Sequence, residues 1–87
     1  MRVNYADCMV LNARIAVSKS GNEWARIEFL DCVGLDTIEV FCFGESCELA
    51  KSLVKGSHVA MGFDLMPYRN QNNSGVRLVL KEVNKIG

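Results

Sequence analysis

Apolar side chains recur at every second position through most of this chain and follow a helical period in one stretch only, residues 45–55. A strand sends successive side chains to opposite faces, whereas a helix returns to one face every three to four residues. Met9, Leu11, Ala13, Ile15 and Val17 face one way, and Val10, Asn12, Arg14 and Ala16 face the other. After the turn cluster at 18–22, Ala25, Ile27 and Phe29 fit a core face, with Trp24, Arg26, Glu28 and Leu30 outward. A third strand runs over Thr37–Phe43. Cys47, Ala50, Leu53 and Val54 then form a helical stripe, predicting about three turns over 45–55 with Gly56 as the cap. A fourth strand, Val59–Met66, is predicted to stop at Pro67, and Tyr68–Gly75 to form a polar loop. Val76–Val83 is the fifth strand, followed by a short tail at 84–87.

The order β-β-β-α-β-β is that of an OB-fold, an all-β, five-stranded Greek-key barrel with one α-helix between strands 3 and 4. A chain of 87 residues is expected to form one such domain, residues 1–87. At this size a core alone is marginal, so self-association is a plausible source of further burial.

Ten Lys plus Arg balance ten Asp plus Glu, which argues against nucleic-acid binding by bulk charge and leaves room for a local basic face. The N-terminus lacks the apolar stretch of a signal peptide, and no apolar run is long enough to span a bilayer, so a soluble, cytoplasmic protein without membrane contact is expected. Cys8, Cys32, Cys42 and Cys47 include no Cys-x-x-Cys pair, and His58 is the single imidazole. They read as small apolar fillers in a reducing compartment, with no metal or other cofactor expected, and His58 reads as a surface residue. No nucleophile–base pair, phosphate loop or metal cluster is recognisable, so an enzyme is not expected.

In the third strand Ile38, Val40 and Cys42 share a core face, and Thr37, Glu39, Phe41 and Phe43 share the other. A carboxylate is costly to desolvate, so the face carrying Glu39 stays at least partly open. Exposed rings at strand spacing are either a platform for nucleobases or a surface covered by another subunit. By strand parity Trp24 joins Phe41 and Phe43. Arg14 and Arg26 lie outward on neighbouring strands, Lys19 lies in the first turn, and Arg69 and Arg77 flank the last hairpin, where all five are candidate phosphate contacts. Glu28 and Glu39 share that face and weaken it unless paired with Arg14 or Arg26.

Leu11–Ile15, Gly21–Leu30, Ile38–Gly44 followed by Ala50, Leu53, Lys55, Gly56 and Val59, and Ser74–Arg77 together resemble the successive strands of bacterial single-stranded-DNA-binding proteins, and the compact size, without a residue-level match, is similar to that of small phage-type single-strand binders. The chain departs from that family's pattern at Ala13 and Phe63, where glycine is common. The resemblance implies an OB-fold, sequence-tolerant binding of single-stranded DNA (RNA not excluded) in replication, recombination or DNA transfer, and a homodimer or homotetramer. It implies a base-stacking role for Phe43 and places Tyr68 near a second stacking position. The alternative is an OB-fold protein-interaction or oligomerisation module without nucleic-acid binding.

Overall fold

A computed structural model describes residues 1–86. Five strands, β1 (Arg2–Val17), β2 (Glu23–Asp31), β3 (Thr37–Phe43), β4 (His58–Arg69) and β5 (Ser74–Lys85), close into a barrel in the order β1-β2-β3-β5-β4. A single turn of 3-10 helix, Gly44–Ser46, leads into the short helix α1 (Cys47–Lys51) between β3 and β4. All neighbours are antiparallel except β3 and β5, which run parallel. This is the all-β barrel with an intervening helix that the alternation predicts.

Closure falls to β1, which pairs with β2 through its C-terminal half and with β4 through its N-terminal half. It therefore begins at Arg2, well before the predicted start at Met9. A bulge between Val10 and Asn12 resets its side-chain parity. Val10 opposite Phe29 is buried, and so is Cys8, while Met9 points away from the core. Beyond the bulge the predicted face is recovered: Ala13 and Ile15 lie opposite the core residues Ile27 and Ala25. They are nonetheless exposed, because β1 has no strand neighbour on its other edge beyond Met9.

The core follows the predicted inner faces of the other strands. Ala25, Ile27, Phe29, Val40 and Cys42 are fully buried, joined by Val59, Met61, Phe63 and Leu80, and by Cys47 and Ala50 from the helical segment. The helix is shorter than predicted. The Ser52 hydroxyl donates to the Leu49 carbonyl, a local bond that competes with helix continuation. Val10 then draws the chain into an extended path: its N–H donates to the Ser57 carbonyl (2.9 Å), and its carbonyl accepts the Gly56 N–H (2.8 Å). Gly56 consequently serves a turn at φ +86° and not the helix cap, which falls at Ser52.

Pro67 does not stop β4. It lies opposite Val76 in a β4–β5 ladder that continues to Arg69 and Ser74. The β1 register reaches only to Asp64, so Pro67 sits where β4 has no second neighbour and its missing N–H breaks no bond. Tyr68 and Arg69 are thus strand residues, and the predicted loop contracts to 70–73. Among the described residues no helix is long and apolar enough to cross a membrane. Gly87, in the predicted tail, lies outside the described residues.

The reset parity of β1 is testable with one substitution made twice. Val10→Ala removes buried carbon worth about 2 kcal/mol of stability, whereas Val17→Ala, at a position 66% exposed, is expected to stay within about 0.5 kcal/mol of the parent in urea unfolding.

Candidate nucleic-acid interface

The outward residues of β2 and β3 meet in register. Trp24 lies opposite Phe43, Arg26 opposite Phe41, and Glu28 opposite Glu39. Phe41 and Phe43, two positions apart on one face, stack with centroids 6.3 Å apart and planes 14° from parallel. Phe41 is half-buried, and Phe43 is 42% exposed at the strand end. The Ser46 hydroxyl holds the backbone of Phe43, donating to its carbonyl (2.8 Å) and accepting its N–H (2.9 Å). Gly44 follows at φ +59°, turning the chain away and leaving the ring open.

The β4–β5 arm brings a third ring to this face. Tyr68 lies opposite Gly75, and its phenol covers the glycine so closely that a Cβ there would meet the hydroxyl oxygen and two ring carbons at 3.0–3.1 Å. The Arg77 guanidinium lies 4.7 Å from the Tyr68 ring centroid and 5.8 Å from that of Phe43. Cation–π attraction of this kind positions an arginine without cancelling its charge.

Phe43 is shared by three adjoining depressions. One of about 370 Å³ is bounded by Ser18, Asn22, Trp24 and Gly44. The next, about 350 Å³, is lined by Trp24, Phe41, Phe43 and Arg77. The third, about 320 Å³, is lined by Phe43, Met66, Pro67, Tyr68 and Arg77. Together they form a shallow aromatic strip running from the first turn to the β4–β5 arm.

The predicted cations divide into two groups. Arg26 is held by two carboxylates, Glu39 at 2.8 Å and Glu28 at 3.4 Å, so its charge is more than balanced where it stands. That pairing answers one of the two acids on this face and leaves Arg26 without a free charge to offer a phosphate. Arg14, Lys19, Arg69 and Arg77 are exposed and make no ion pair among the described residues. Arg14 borders a small polar depression with Asn12, Arg26 and Glu28. Met66 and Pro67 are strip residues missed in the sequence, because Pro67 reads as a strand stop.

The cysteines also divide. Cys8, Cys42 and Cys47 are buried and free, and burial pushes the Cys8 and Cys42 thiols up to about 11, which keeps them protonated. Cys32 is half-buried, and folding brings it to Asp7 and His58, an assembly that residue spacing does not reveal.

No protein-family profile matches the chain, and no curated protein matches it. Twenty-one solved chains do match. One, from a crystal structure of the mitochondrial single-stranded-DNA-binding protein Rim1 of S. cerevisiae, superposes with a TM-score of 0.73 over 99% of this chain and 95% of that one, at 16% sequence identity. At that identity the likeness establishes the OB barrel and assigns no residue a role.

Ser46 is the anchor of the most exposed ring. Ser46→Ala is expected to cost about 1–2 kcal/mol in unfolding and to speed hydrogen exchange at the Phe43 amide, with the core amides of β2 changing only by the global loss.

Proposed function

We propose that this protein binds single-stranded DNA without strong sequence preference, by stacking bases along the Trp24–Phe41–Phe43–Tyr68 strip and contacting phosphates from its rim. The observation that carries this reading is Phe43: an exposed ring anchored at the strand end, shared by three base-sized depressions, with an unneutralised arginine beside it. Every nucleobase has a stackable face, so such a strip tolerates sequence. The barrel's likeness to a chain that is a single-stranded-DNA-binding protein supports the same reading. Arg14, Lys19, Arg69 and Arg77 supply the phosphate contacts, and Arg26 contributes through its two glutamates only as part of the scaffold. The role this serves is the coating of single strands exposed in replication, recombination or DNA transfer. Ile15 and Val17, apolar and exposed near the end of β1, support assembly into a homodimer or homotetramer.

Titration with oligo-dT, followed by Trp24 fluorescence, is expected to saturate at low salt. With at most four phosphate contacts per protomer, log affinity for an oligonucleotide short enough to occupy one protomer should fall against log salt with a slope no steeper than about −3. Phe43→Ala should weaken binding by about 1–3 kcal/mol, and Arg77→Gln should make the slope shallower by about 1. Glu39→Gln removes a negative charge from the face and should tighten binding severalfold. Absence of binding at low salt removes the proposal. Loss of oligomeric mass in Phe43→Ala, without any DNA binding by the parent, would make the strip a protein interface instead.

A further inference from the structure

The geometry points to a zinc site at the opposite end of β2 from the aromatic strip, with Asp7, Cys32 and His58 as its protein ligands. Three segments meet there. Asp7 lies in the β1–β4 bulge, where three steps along β1 from Tyr5 to Cys8 match two along β4 from Met61 to Val59. Such a bulge re-aims a side chain that regular pairing would direct elsewhere. The Asp7 carbonyl accepts the Cys32 N–H at 3.1 Å, fixing the residue that follows β2 against it. His58 opens β4 opposite Met9. The result is one carboxylate oxygen, one sulfur and one imidazole nitrogen, all within 4.8 Å of one another.

The individual distances suit a shared metal. His58 Nδ1 lies 2.9 Å from Asp7 Oδ1 and 3.8 Å from Cys32 Sγ. Tetrahedral zinc, with bonds of about 2.0–2.1 Å to nitrogen and oxygen and about 2.3 Å to sulfur, separates N from O by roughly 3.3 Å and N from S by roughly 3.5 Å. The N–O pair would have to open by roughly 0.4 Å and the N–S pair to close by roughly 0.3 Å to reach that arrangement. Both contacts fall on the same nitrogen, Nδ1. A catalytic Cys-His-Asp relay needs the thiol and the carboxylate on different ring nitrogens, so the cluster is not built as a hydrolytic triad. It converges on one point, as ligands do.

The donor set selects the ion. Sulfur with imidazole and carboxylate suits zinc, whereas magnesium and calcium take oxygen ligands. The side chains of Asp7 and His58 are 42% and 45% exposed, which leaves the fourth position to water. The Asp31 carboxylate, one residue before Cys32, is turned toward the following loop, where its Oδ1 accepts the Val33 N–H at 3.0 Å. On binding, the Cys32 thiol releases its proton to solvent and sulfur coordinates as thiolate. Zinc would then tie the middle of β1, the end of β2 and the start of β4 where β1 changes partners. The site lies roughly 23 Å along β2 from Trp24, at about 3.3 Å per residue, so it is separate from the aromatic strip.

The probe is cobalt(II), added to the reduced, tag-free, metal-stripped full chain. One equivalent should produce visible d–d bands and a thiolate-to-cobalt charge-transfer band, both abolished by zinc. Zinc at a hundredfold above its dissociation constant should raise the melting temperature by about 10–20 °C. Cys32→Ser should remove the charge-transfer band. His58→Gln and Asp7→Asn, at exposed positions that leave the fold intact, should each weaken cobalt binding by about tenfold or more. The proposal is overturned if the parent shows no charge-transfer band, if the band survives in Cys32→Ser, or if both surface variants bind cobalt as the parent does.

Discussion

The barrel depends on β1 pairing along both of its edges. Its C-terminal half belongs to β2 and its N-terminal half to β4, so the strand must bend sharply between them. Two bulges provide the bend, one between Tyr5 and Cys8 and one between Val10 and Asn12. Between the bulges Cys8 and Val10 turn inward and are fully covered. The hydrogen bonds of Val10 to Gly56 and Ser57 then decide where the helical segment ends and β4 begins. The closure, the short helix and the placement of Asp7 all follow from one bent strand.

What the sequence made legible follows from this. The alternation in β2 and β3 is undisturbed by any bulge, and there Ala25, Ile27, Phe29, Val40 and Cys42 are read correctly as core and Trp24, Phe41 and Phe43 as outward. In β1 the same rule fails at Met9 and Val10, because a bulge shifts parity by one and leaves no mark in composition. Pro67 misleads for a different reason. Proline excludes a central strand but not an unpaired edge, and whether β4 has a second neighbour at that position is a property of the whole barrel. The juxtaposition of Asp7, Cys32 and His58 is wholly tertiary, since the separations of 25 and 26 residues between them carry no ligand signature.

The aromatic strip inherits its precision from the same scaffold. Phe41 and Phe43 are aligned by strand periodicity, and Trp24 by its register with Phe43. Tyr68 is laid flat by the absence of a side chain at Gly75. None of these rings depends on a flexible loop for its position, and stacking onto preplaced rings costs little ordering of the protein. That matters in a chain whose charges cancel, because stacking has to carry a larger share of any affinity than it would on a strongly basic protein.

Two of the arginines on this face, Arg26 and Arg77, show how charge and position trade against each other. Arg26 is fixed by Glu28 and Glu39, whose carboxylates leave the group with a net negative charge. Arg77 is fixed by two aromatic faces, which attract the cation through their quadrupoles and leave its full charge available. Under the proposed function, an anionic strand meets an unopposed charge on the Phe43–Arg77–Tyr68 side, whereas Arg26 offers it none, and Arg14 opposite Arg26 only balances the second glutamate. The rings and the free charge of Arg77 thus coincide in the proposed site, along the line from Trp24 over Phe43 to the β4–β5 arm.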